Sequence, residues 1–193
     1  MNRLIVLCLV LSAVLAFADK PRDLSMKAMG KDPVIRSIRE RFNRTNAQQA
    51  QLKEEEKSIE GYASDGATMT VFRHGDEIRK VVILAVSATG DGAQGLSEVT
   101  EYYFDGQKPY FVFVRSTQWD GEQTISKDEN RYYFDGNRLV WWLTGTKPAP
   151  VAESNHDIAE NRILRQAKGA HQGAQLQAKH IRAESDDVFS AAD

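Results

Sequence analysis

The sequence predicts an α+β fold: a single antiparallel β-meander of about six strands built from repeated hairpins, with a long N-terminal helix packed on one face and a C-terminal helix behind. Three observations predict it. Tyr-Tyr-Phe-Asp-Gly occurs twice, at 102–106 and 132–136, each time followed by an apolar run. Six apolar, β-branched or aromatic runs follow Gly66, separated by Gly-containing turn signals. Apolar residues at helical spacing precede them, from Ile35 to Leu52.

The chain opens MNRLIVLCLVLSAVLAFADK. Arg3 precedes an apolar run from Leu4 to Phe17 interrupted by Ser12, and Ala16-Phe17-Ala18 supplies small residues for a cut before Asp19. A charged start, a short apolar stretch and an A-x-A site predict a cleaved signal peptide over 1–18. The run is shorter than the roughly 20 residues of a comfortable span, so no stable membrane span is expected after cleavage. The expected location is periplasmic or secreted. Cys8, the only cysteine, lies inside this leader. The mature chain therefore has no disulfide, thiolate nucleophile or Cys-ligated metal, which in an exported protein favours a bacterial envelope.

Residues 19–31 show no clear period and read as a mobile lead-in. Asp32-Pro33 reads as a helix start: Asp caps free N–H groups, and Pro at the first helical position loses no hydrogen bond. Ile35, Ile38, Phe42, Gln49 and Leu52 form one stripe, which predicts a helix over roughly 33–57 whose charged end is Lys53-Glu54-Glu55-Glu56-Lys57. Strands are expected over 67–73, 78–88, 96–104, 109–118, 129–134 and 138–144. Asp-Gly turns demand positive φ and close antiparallel hairpins. The two Tyr-Tyr-Phe-Asp-Gly blocks align without gaps, and a weaker third copy surrounds Gly75. Ser154-x-x-Asp157 resembles a capping box and starts a helix to about 168. Together 32–168 form one α+β domain. Beyond Gly169 large apolar groups are few, so 169–193 reads as a weakly structured or helical tail.

Strand alternation sorts the hairpin side chains. With a two-residue loop at Asp105-Gly106, Tyr102, Phe104, Pro109, Phe111 and Phe113 share a face with Tyr132, Phe134, Leu139, Trp141 and Leu143. That nearly uncharged face is expected to be buried beneath the long helix. The opposite face carries Glu101, Tyr103, Lys108, Tyr110 and Val112, then Arg131, Tyr133, Arg138, Val140 and Trp142. Its mixture of aromatic and charged groups is either a recognition surface or a half-solvated sheet face on which cationic stems cover rings.

Twenty-five basic against 27 acidic residues, net charge −2, show no clustered basic face and argue against a nucleic-acid partner. His74, His156, His171 and His180 lack the spacing of a zinc motif. No nucleophile elbow, phosphate loop or paired-carboxylate motif occurs, so neither cofactor nor metal is expected. The acids of Asp91–Glu98 leave too few oxygens for a calcium-loop pattern, and the richer set of Asp120–Glu129 reads as scattered acids that keep a loop solvated, with weak calcium binding as the alternative.

The "YYFDG" and "ENRYYFDGNRLVWWL" blocks resemble those of uncharacterised exported bacterial proteins in which a helix precedes an antiparallel meander, over about 33–145. A helix laid across a meander is also similar to cystatin-like and envelope-inhibitor folds. The resemblance implies a fold and an address rather than an activity. The expected function is a non-enzymatic, exported (periplasmic) binding or interaction protein. It would use Glu101, Tyr103, Lys108, Tyr110, Arg131, Tyr133, Arg138 and Trp142, or a sheet edge, against an envelope protein or glycan. Two alternatives stay open: an inhibitor of an envelope hydrolase acting through Gln118–Asn130, and a hydrolase whose site is assembled from distant residues.

Overall fold

The computed structural model describes residues 26–149, 153–185 and 187–192. The leader and residues 19–25 of the lead-in lie outside them; residues 26–31 of that lead-in are helical. Helices α1 (Met26–Lys31) and α2 (Pro33–Ala47) come first, followed by a 3-10 turn at Gln49–Gln51. Strands β1 (Lys53–Glu60), β2 (Ala67–His74), β3 (Glu77–Ala88), β4 (Gln94–Asp105), β5 (Lys108–Asp120), β6 (Gln123–Asp135), β7 (Arg138–Thr144) and β8 (Lys147–Pro148) follow. Helix α3 (Glu153–Gln175) leads to β9 (His180–Ser185) and β10 (Val188–Ala191).

All ten strands form one sheet in the order β10-β9-β1-β2-β3-β4-β5-β6-β7-β8. This mostly β architecture overturns the expected six-strand meander beneath a long N-terminal helix. Each of the six expected runs falls largely within β2–β7, and all their pairings are antiparallel. The errors lie at the ends of the chain. The helix expected over 33–57 stops at Ala47, and Lys53–Glu60 pairs residue for residue with β2, Lys53 opposite Arg73 through Ile59 opposite Ala67. Its Lys and Glu residues are better helix than strand formers, but a two-residue period is hidden among them. Glu55 is half-buried while Lys57 and Ile59 are buried, so tertiary pairing overrides local preference.

The second error is in the tail. Helix α3 runs on to Gln175, and β9 and β10 extend the sheet at the β1 edge, β9 parallel to β1. The helix carries the chain from the β8 edge to the β9 edge. Its 23 residues span about 35 Å at 1.5 Å per residue. The sheet between those edges is about 38 Å wide at 4.8 Å per strand. The small residues that make 169–193 look like a poor core former are the means of close packing. Ala167, Ala170 and Ala174 are fully buried. A Cβ on Gly169 would stand 1.9 Å from the Asp187 carbonyl oxygen, and one on Gly173 would stand 3.1 Å from the Phe189 side chain. Gly169→Ala should therefore destabilise the fold by about 2 kcal/mol, since overpacking against backbone costs about 1–3 kcal/mol or more and exceeds the gain in helix propensity. Gly30→Ala in α1, with nothing within 4 Å of the new Cβ, is the control in chemical denaturation and should be neutral or stabilise by up to about 1 kcal/mol through helix propensity.

Four hairpins share one geometry. Gly75, Gly106, Gly121 and Gly136 each occupy the first of two loop positions with φ between 57 and 61°. Positive φ there followed by negative φ is the pattern of a type II′ loop, which suits the twist of the flanking strands. Each return strand then carries a bulge: Tyr103 pairs Phe111 but Phe104 pairs Pro109, and Tyr133 pairs Trp141 but Phe134 pairs Leu139. The extra residues are Tyr110 and Val140, with Arg79 and Ile125 in the corresponding places of the other two hairpins. A bulge of one residue exchanges the faces of everything beyond it.

Both faces of the sheet are consequently buried in part. Beneath α3 lie Met69, Val71, Val81, Ile83, Tyr102, Phe104, Val112, Tyr132, Phe134 and Leu139. Beneath α1 and α2 lie Tyr103, Tyr110, Phe111, Tyr133, Val140, Trp141 and Leu143 around Met29, Ile35 and Ile38. The expected single dry face is thus redistributed: Phe111, Trp141 and Leu143 leave Phe104 and Leu139 for the other side. The α2 start is as expected, Asp32 Oδ1 accepting from the Val34 N–H at 2.9 Å with Pro33 at the first helical position.

Candidate functional site

The eight residues nominated from the sequence do not form one open surface. Tyr103, Tyr110 and Tyr133 are buried under α2. Trp142 lies half-buried on the α3 face, where it stacks on Tyr132 with ring centroids 5.3 Å apart and donates from Nε1 to Asn130 Oδ1. The bulge at Val140 separates it from Tyr133. Lys108 and Arg138 are exposed at the two hairpin tips. Glu101, Tyr103 and Arg131 do meet, at the flank of α2 where the long strands β3–β6 emerge from beneath it.

There a groove of about 450 Å³ is lined by Phe42 and Asn46 of α2, Lys80 of β3, Glu101 and Tyr103 of β4, Phe111, Phe113 and Arg115 of β5, and Arg131 of β6. Its inner wall is a fixed polar cluster. Tyr103 Oη donates to Glu101 Oε2 at 2.6 Å and lies 3.0 Å from Asn46 Oδ1. The largely buried Lys80 ammonium meets the same carboxylate at 2.8 Å and sits 4.9 Å above the Tyr103 ring. Burial, reinforced by the hydrogen bond to Glu101, pushes the Tyr103 phenol far above its ordinary value. It is therefore a permanent donor and not a base.

The outer wall is cationic and planar. Arg115 and Arg131 place their guanidinium carbons 5.1 and 5.3 Å from the centroid of the Phe113 ring. Glu129 holds both, at 3.2 Å to Arg115 Nε and 2.6 Å to Arg131 Nη2. Arg131 also donates to the Gly145 carbonyl at 2.5 Å. Beyond them, on the same face, Val82 pairs with Glu101 and Leu84 with Val99. Leu84 is 40% exposed, while Val82, Val99 and Phe113 are half-buried.

Lys80, Arg115 and Glu129 escaped the sequence reading, while Phe42 and Phe113 were read as core residues of the helix stripe and the dry face. The available signal was the alternation continued outward: Phe113 and Arg115 are two apart in β5, as are Glu129 and Arg131 in β6. The segment Gln118–Asn130, expected to be a loop, is the tip of the β5–β6 hairpin and most of β6. There Trp119 lies so flat on Gly95 that a Cβ would meet its ring at 2.2 Å.

Among the described residues, no group of three His, Cys, Asp or Glu is placed to hold a metal ion. His171 is buried between α3 and the sheet, edge-on to Phe104 at 5.0 Å, and desolvation lowers its pKa. His180 engages Ser58 Oγ at 2.7 Å. No helix among the described residues is long and apolar enough to cross a membrane. Comparison of the chain with protein-family models, with curated proteins and with solved structures finds no match.

Proposed function

We propose that the protein is exported and works as a binding protein in the envelope or outside the cell, holding a polypeptide segment on the uncovered part of the α2 face. Export rests on the charged start, the Leu4–Phe17 apolar run and the Ala16-Phe17-Ala18 site. Binding rests on one observation: an apolar strip of Val82, Leu84, Val99 and Phe113 borders a wall of Lys80, Arg115 and Arg131. The apolar strip suits an aliphatic or aromatic side chain. The two guanidinium planes, already oriented by Glu129 and Phe113, suit a carboxylate two or three residues away in an extended partner. Preorganisation of the arginines lowers the ordering cost of association. Of the nominated residues, Glu101 and Arg131 serve this surface directly, and Tyr103 holds Glu101 in place.

Selection of displayed random peptides on the immobilised protein tests the assignment. Retained peptides should pair Asp or Glu with a nearby Leu, Ile or Phe. The double variant Arg115→Glu/Arg131→Glu should weaken their binding at least about tenfold, a change of about 1.4 kcal/mol. Phe113→Ser should do the same while leaving the circular dichroism unchanged. Retention of envelope glycans with no peptide selected, or peptide binding indifferent to these variants, overturns the reading.

A further inference from the structure

The other flank of α2 holds a second concavity, of about 370 Å³, between the last turns of the helix and the tips of the β2–β3 and β4–β5 hairpins. Its lining carries three guanidinium groups, Arg41, Arg44 and Arg79, with the imidazole of His74, against a single carboxylate, Asp105. We propose that this cleft binds a phosphate group carried on a larger organic body.

Four features support this, independently of the groove on the opposite flank. First, the charge is unbalanced. Arg41 meets Asp105 at 2.7 Å and Arg79 meets Glu77 at 3.0 Å, but Arg44 has no acidic partner within ion-pair distance among the described residues. Repulsion among guanidinium groups is relieved by an anion between them, and their planar forks match phosphate oxygens two at a time. Second, the cleft is built by the bulges. Arg79 and Tyr110 are the extra residues of the β2–β3 and β4–β5 hairpins, whose tips lie at the same end of the sheet, and each is turned by its bulge into the same space beside α2. Third, the back wall is held in place. Tyr110 is buried, its ring lies 4.3 Å from the Arg41 guanidinium carbon, and its Oη shares a hydrogen bond of 3.1 Å with Thr45 Oγ1. The charges of Arg41, Arg79 and Arg44 all bear on that phenol and oppose the burial that raises its pKa. Fourth, the space exceeds that of a bare oxyanion, and the half-buried Leu52 contributes apolar surface to it. A phosphate on a sugar, a glycerol or a lipid headgroup fills such a site better than the free ion.

The source of the phosphate is separable by experiment. Thermal unfolding of the full chain is followed with inorganic phosphate, glycerol phosphate and succinate, and sedimentation is followed with phosphatidylcholine vesicles with and without phosphatidylglycerol. A soluble ester is expected to raise the melting temperature more than inorganic phosphate, and succinate least. Sedimentation only with phosphatidylglycerol would assign the group to a lipid headgroup and equally support the site, provided the variants abolish it. Arg44→Gln and Arg79→Gln should each reduce affinity about tenfold and leave the unliganded melting temperature unchanged. Asp105→Asn keeps a residue suited to the turn and removes the one carboxylate, so it should tighten binding several-fold. A purely structural role for these residues would not produce that gain. No response to any phosphate compound, equal response to succinate, or binding unaffected by Arg44→Gln and Arg79→Gln overturns the proposal.

Discussion

Trp141→Ala should lower the free energy of unfolding by about 3–5 kcal/mol, the range for emptying the site of a large buried aromatic. Trp141 is 2% exposed and is among the largest fully buried side chains. It occupies the centre of the α2-side core, against a sheet wall that includes Tyr133 and Leu143 and a helix wall of Met29, Ile35 and Ile38. Helix α2 has 15 residues, too few to be stable in isolation, so it depends on this packing. The indole also reaches the start of the helix: Nε1 donates to Asp32 Oδ2 at 3.2 Å, while Asp32 Oδ1 caps the Val34 N–H. Truncation therefore removes the floor beneath the helix and weakens its cap at once. Trp141→Phe keeps most of the apolar volume and forfeits that hydrogen bond, and should cost about 1–2 kcal/mol. Trp142→Ala should cost less than Trp141→Ala, because Trp142 is half-buried. Equilibrium denaturation measures all three, and amide exchange should place the greatest loss of protection in α2. A Trp141→Ala cost equal to or below that of Trp142→Ala would refute this account of the core.

The contrast between the two adjacent tryptophans marks how much of the molecule could be read in the chain. Turn chemistry and apolar runs were local signals, and they located β2–β7, their antiparallel pairing and the Asp32-Pro33 helix start. The bulges were not visible, because nothing in Pro109-Tyr110-Phe111 or Leu139-Val140-Trp141 declares which residue is extra. That choice is made by the two cores, which accept aromatic side chains from both sides of the sheet. One unread residue per hairpin moved Phe111 and Trp141 across the sheet and separated Tyr133 from Trp142. The expected recognition face dissolved for that reason, and Glu101, Tyr103 and Arg131 stayed together because they precede the bulges of their hairpins. Strand β1 and the C-terminal hairpin were hidden differently. Lys53–Glu60 looks solvated and 169–193 looks too poor in large side chains for a core. Both depend on contacts over 100 residues apart in sequence, where β9 pairs with β1 and the end of α3 meets Lys57, while small residues of α3 admit the nearby β10.

That contact makes Lys57→Met a stringent test of the long-range assembly. The Lys57 side chain has no exposure. Its ammonium donates to the Leu176 carbonyl at 2.6 Å, the Ala178 carbonyl at 3.0 Å and Glu55 Oε1 at 2.7 Å, so all three donors are satisfied. The carbonyls follow the last turn of α3, where helix geometry leaves acceptors unpaired and where a cation is favoured by the helix dipole. Arg73 supports the same turn through the Ala174 carbonyl at 2.5 Å and lies 3.7 Å from Glu55. Methionine keeps the apolar stem and removes every donor, leaving two carbonyls and a carboxylate without their partner. Breaking a buried ionic cluster in this way should cost about 3–5 kcal/mol. The cost should appear as lost amide protection in the last turn of α3 and in β9, whose approach to β1 includes the Ser58 N–H to Lys179 carbonyl bond of 3.0 Å. Adding Glu55→Leu to Lys57→Met should recover part of the loss, since the stranded carboxylate goes with it. The acid limb supplies an independent sign. The hydrogen bond from Lys57 is the largest influence holding the Glu55 carboxyl below its ordinary 4.5. The unfolded chain therefore takes up this proton first as pH falls. Stability from Glu55 is complete above 4.5 and is lost as pH drops through the depressed folded value. In Lys57→Met that contribution shrinks, so the difference between wild type and variant should narrow between about pH 6 and about pH 3. A gap that stays constant across this range, or a variant as stable as the parent at neutral pH, would mean that Lys57 does not lock the end of α3 to the sheet.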